Sequence, residues 1–132
     1  MSSHANHYVI YGFSLTWVNT DHLAEENNDR ENTVYQCFEK YSPPSYDACA
    51  KGEFVILDDG RDGRFLLMGI CVASTEEYGN FDDVACCEVS KKDKKLFNDK
   101  IAELRKTLPS YFNFDERIKN LKPKFYVTTT LR

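Results

Sequence analysis

The chain has 132 residues, 42% of them apolar, 14% aromatic and 29% charged, with a formal net charge of −4. That composition supports a single buried core and excludes a disordered chain. A pI of about 5.4 argues against a dedicated nucleic-acid binder, which is usually strongly basic.

Residues 1–7 hold no Lys, no Arg and no apolar stretch. No secretory signal is expected here, and the segment reads as a frayed terminus, flexible over 1–6. Residues 8–18 alternate with a period of two. Val9, Tyr11, Phe13, Leu15 and Trp17 fall on one face, so a strand with one strongly buried face is expected. Asn19-Thr20-Asp21 supplies helix-start chemistry. Val34, Cys37, Phe38 and Tyr41 then repeat at helical spacing, which predicts a helix over 33–41. Asn27, Asn28 and Asn32 weaken the middle of 21–41, leaving one helix or two open. Pro43-Pro44 ends this region.

Residues 53–57 and 64–73 are two apolar runs separated by Asp58-Asp59-Gly60-Arg61-Asp62-Gly63, a hairpin pattern. The second run is apolar on both faces, as a central strand would be, and Gly69 within it marks a bulge or a close backbone approach. Residues 75–83 read as a loop and 84–89 as a further short strand. Ser90 is a good N-cap for a helix whose apolar positions are Phe97, Ile101, Leu104 and Leu108, ended by Pro109. A short helix over 115–121 and a terminal strand over 124–132 complete the order. Strict βαβ alternation is absent. The expected fold is a single α+β domain, a mostly antiparallel sheet of four or five strands with two or three helices on one face.

Charge is divided along the chain. Residues 1–89 carry 16 Asp/Glu against 5 Lys/Arg, and residues 90–132 carry 5 against 12. Either the two halves clasp each other or they form two oppositely charged faces. The acidic segment 21–31 and the basic run Lys91-Lys92-Asp93-Lys94-Lys95 are its centres. Lysines in a first helical turn oppose the helix dipole, so local helix stability does not account for them.

No chemical signature is complete. Read as a calcium loop from Asp58, the turn has Gly60 at position 3 and Gly69 at position 12, where oxygen ligands are required. Phosphate-loop, dinucleotide and nucleophile-elbow patterns are missing. A carboxylate–metal site built on Glu53, Asp58, Asp59 and Asp62 reads better as solvated turn acids. Cys37, Cys49, Cys71, Cys86 and Cys87 are odd in number and lack framework or zinc spacing, so reduced thiols in a cytoplasmic protein are expected. His22 with Cys37 or Cys71 is a formal nucleophile pairing that spacing cannot support. No apolar run approaches the roughly 20 residues of a membrane span, and no cofactor is implied.

The leading expectation is therefore a small non-catalytic binding protein that docks on a larger protein with a basic surface and modulates or inhibits it. Small acidic inhibitors encoded by viruses or mobile elements have this compositional profile. The expected contact residues are Glu25, Glu26, Asp29 and Glu31, with Tyr46 and Tyr78 as aromatic anchors. The alternative is a small-ligand or nucleotide binder, or a small enzyme, holding an anion with Lys91, Lys92, Lys94 and Lys95 at the helix start. A third reading is nucleic-acid binding by the basic half, with Tyr111, Phe112 and Phe114 stacking on bases.

Overall fold

The computed structural model describes residues 5–43, 51–58, 65–76 and 88–131. Four strands, β1 (Ala5–Thr16), β2 (Phe54–Asp58), β3 (Phe65–Glu76) and β4 (Lys124–Leu131), form one sheet in the order β2-β3-β1-β4. Each neighbouring pair is antiparallel. Four α-helices accompany it among the described residues: α1 (Thr20–Glu26), α2 (Thr33–Glu39), α3 (Lys91–Thr107) and α4 (Phe114–Ile118), with a 3-10 turn at Ser110–Phe112. The fold is α+β, as the order of patterns predicts, with more and shorter helices. Asn27 and Asn28 end α1, and Asn28 and Asn32 take positive φ values of 57° and 50°. The asparagines thus divide 21–41 into two helices, because Asn tolerates the left-handed region that ends a helix.

Helices cover one side of the sheet. Phe97, Ile101, Leu104 and Leu108 of α3 and its C-cap are all buried, and Phe97 meets Phe13 at 5.1 Å and Tyr11 at 5.8 Å between ring centroids. Burying these four side chains is worth roughly 1.5–3 kcal/mol each before chain entropy is counted. Val34 and Phe38 of α2 join Phe112, Phe114 and Ile118 in the same core.

β1 differs from its expected form in three ways. It begins at Ala5, with Asn6 fully buried, so positions 5 and 6 belong to the strand rather than to a frayed end. Both its faces are buried: Tyr8 and Ile10 join Val55, Leu57, Leu67 and Cys71 in a second cluster on the side opposite the helices. β1 is an inner strand, paired with β3 and β4 on its two edges, and its side chains are buried on both faces over residues 8–10. Trp17, expected on the buried face, lies past the strand end and is 37% exposed.

Gly69 marks a close approach. It pairs with Gly12 across β1 and β3, and a Cβ on either glycine would run into the opposite backbone, at the Met68 or the Tyr11 carbonyl. The register irregularity falls instead between Val9 and Ile10, which pair with Ala73 and Cys71 and leave Val72 as the extra residue. The hairpin residues 59–64 and residues 84–87 of the strand expected over 84–89 lie outside the described residues, while 88 and 89, its last two positions, lead into α3 without strand structure.

Candidate functional site

The segment 20–39 carries six carboxylates, Asp21, Glu25, Glu26, Asp29, Glu31 and Glu39, against one guanidinium, Arg30. Polar side chains turned inward hold it in shape. The Asn19 side chain caps α1 by accepting from the His22 N–H at 3.0 Å. Asn32 caps α2 by accepting from the Tyr35 N–H at 3.2 Å, and its amide donates to Asp21 Oδ1 at 3.0 Å, tying the two helices together. Asp29 Oδ2 accepts from the Thr33 N–H at 2.9 Å and from the Tyr111 hydroxyl at 2.8 Å. These donors, the Thr33 N–H first and Tyr111 second, hold the Asp29 carboxyl below its ordinary 3.8. Burial, and then the Asp29 carboxylate, push Tyr111 up to about 12.

Asp29 is therefore part of the framework, half-buried and engaged, whereas Glu25, Glu26 and Glu31 stand exposed. Glu26 accepts from His22 at 2.9 Å, and none of the three glutamates pairs with a lysine or arginine among the described residues. Asp21, Glu25, Asn28, Asp29, Arg30 and Asn32 border an open depression of about 810 Å3. Tyr35 is 51% exposed on α2, one turn from Glu39. Sequence reasoning passed over Tyr35, although its place off the Val34–Cys37–Phe38–Tyr41 stripe is a legible signal of exposure. Tyr46 and Tyr78, the expected anchors, lie outside the described residues.

The basic end is built differently. Ser90 Oγ accepts from the Asp93 N–H at 3.0 Å, so Ser90 caps α3. Lys95 pairs with Asp99 at 3.0 Å, while Lys91, Lys92 and Lys94 are exposed with no ion pair among the described residues. The two charge centres do not clasp each other there. Lys40 and Glu103 do join the halves, at 3.1 Å, but with the signs reversed: the base comes from the acidic half.

A cleft of about 190 Å3 between α2 and α3 is lined by Cys37, Lys40, Tyr41, Glu103 and Thr107. Glu103 accepts from the Tyr41 hydroxyl at 2.9 Å and faces Lys40 and Lys100, and these partners, Tyr41 first, hold its carboxyl below the ordinary 4.5. The Cys37 thiol donates to the Thr107 carbonyl at 3.6 Å, and His22 pairs with Glu26. Each group here is satisfied by a neighbour, an arrangement that joins helices. Phe112 and Phe114 are core residues, 0% and 5% exposed, so neither offers a face to a base. Among the described residues no three His, Cys, Asp or Glu side chains converge as metal ligands, and no helix is long and apolar enough to cross a membrane.

No family model matches this chain, and neither a curated protein nor a solved structure matches it.

Proposed function

We propose that this is a non-catalytic binding protein that docks its acidic α1–α2 face on a basic surface of a larger protein and so modulates or blocks it. The observation that carries this reading is the group of exposed carboxylates at Glu25, Glu26 and Glu31, none of which pairs with a lysine or arginine among the described residues, Glu26 meeting only His22. An acidic face of this kind is complementary to a surface that holds nucleic-acid phosphates, which gives inhibition a direct route: occupying that surface excludes its ligand. Tyr35 supplies the aromatic contact such an interface favours.

The test is affinity capture from the native host, followed by a salt titration of the captured complex. Glu25→Lys, Glu26→Lys and Glu31→Lys together leave Asp29 in its structural place. They are expected to abolish capture, with Tyr35→Ala weakening it. Capture that survives the triple reversal, or that ignores salt, overturns the reading. Lys91, Lys92 and Lys94 favour a second reading, anion or nucleotide binding at the start of α3. A saturable rise in melting temperature with ATP, lost in a variant carrying Gln at these three positions, supports that reading over protein docking.

A further inference from the structure

β4 is one end of the described sheet, and β1 is its one strand neighbour among the described residues. Exposed edges are normally guarded by charges, prolines or bulges, because their free N–H and C=O groups invite another strand. β4 has none of these over 125–131: its sequence there is Phe-Tyr-Val-Thr-Thr-Thr-Leu, and all eight of its residues pair with β1 in unbroken register. The opposite edge, β2, is five residues long and ends in Asp58. β4 also shows apolar surface. Val127 is 73% exposed and Phe125 42%, on the side of the sheet where Phe125 meets Tyr11 at 5.4 Å.

We propose that β4 is a self-association edge, pairing antiparallel with β4 of a second copy about a two-fold axis through Val127. An axis normal to the sheet keeps both helix layers on one side and joins the two four-stranded sheets into one. In this register Val127 faces the second copy's Val127, Phe125 faces Thr129, Tyr126 faces Thr128 and Lys124 faces Thr130. These are aromatic and β-branched cross-strand pairs with no like charges opposed. With the axis at Val127 the two Lys124 residues lie about 20 Å apart along the strands, well beyond a screening length of about 8 Å. The pairing consumes both β4 edges and leaves the short β2 edges outermost in the described sheet, so among the described residues no second long edge remains for growth beyond two copies. That closure, and the match of the strand to itself, select a second copy over a foreign strand.

Sedimentation velocity on the full chain, from about 1 to about 500 µM, tests this; an interface no larger than one strand pair is expected to be weak and reversible. A monomer–dimer equilibrium is expected, weakened more than about tenfold by Val127→Lys, which opposes two ammonium groups at the axis. Val127→Cys keeps the test independent of that variant's folding. Directly opposed strand residues lie within disulfide reach, so mild oxidation is expected to link the two introduced thiols, located by peptide mapping among the native cysteines. A monomer at every concentration, a dimer indifferent to Val127→Lys, or a dimer whose introduced thiols do not link would each overturn the proposal.

Discussion

At the acidic pole, Asp29, Asn32 and Asn19 turn polar atoms inward to cap helices and bind Tyr111, while Glu25, Glu26 and Glu31 point to solvent. At the start of α3, Ser90 caps the helix while Lys91, Lys92 and Lys94 stand clear of any ion pair among the described residues. One pole mixes framework and display in neighbouring residues; the other hangs its charge on a helix held by its apolar stripe. A charge count treats the two alike. Only the hydrogen bonds separate a carboxylate that builds the fold from one free to meet a partner.

Four measurements bear on that contrast. The largest effect is expected from Phe112→Ala. Phe112 is fully buried, meets Phe38 of α2 at 5.5 Å and carries Arg117 4.6 Å above its ring. Chemical denaturation should show a loss of about 3–5 kcal/mol, because the support beneath the acidic pole is removed. Next is Asn32→Ala, which deletes the α2 cap and puts Ala at a φ of 50°. A loss of about 1–2 kcal/mol is expected, with Asn32→Gly recovering the backbone part; equal losses for the two variants would show that only the cap matters.

The third concerns pH. A carboxyl held below its ordinary value contributes stability that is present above about pH 4 and lost as the pH falls through its folded value. Asp29 and Glu103 are both of this kind. Tyr111, pushed up to about 12, contributes in the other direction: its share is present below pH 10 and lost as the pH climbs toward 12. Melting temperature against pH should therefore decline at both ends. Tyr111→Phe should flatten the acid limb and move the Asp29 carboxyl part of the way toward 3.8 in a carbon-13 titration, the Thr33 N–H still holding it down; an unchanged titration would break the assignment of Tyr111 as its partner. The smallest effect is expected from changing Lys91, Lys92 and Lys94 together to Gln. Stability should move by no more than about 0.5 kcal/mol, upward if at all, because cations leave the positive end of the helix dipole. A large loss would mean that the lysines serve the fold after all.

Much of the scaffold was legible because its residues obey local periods. The stripe Phe97–Ile101–Leu104–Leu108 could be read as a helix face because burial on one side imposes that spacing, and the continuous apolar runs on either side of 58–63 as two antiparallel strands because both faces of β2 and β3 are buried. The candidate site was half legible. Glu25, Glu26 and Glu31 are exposed as charged residues in an acidic run should be, but nothing in the run distinguishes Asp29 from them. Its partner, Tyr111, lies 82 residues away. Trp17 misled in the same manner: alternation assigns it a face, and only the strand's end at Thr16 decides that the face no longer has a covering layer.

The sequence by itself determined the α+β class, the positions of the long helix and of the four strands, and the division of charge between the two halves, because each follows from residue type and short-range spacing. The tertiary structure alone decided that β1 is buried on both faces, that Gly12 and Gly69 must meet without side chains, that β4 ends the described sheet, and that the acidic and basic centres stay apart among the described residues. Those outcomes depend on which strands become neighbours and on contacts between residues distant in the chain, and neither is written in any local period.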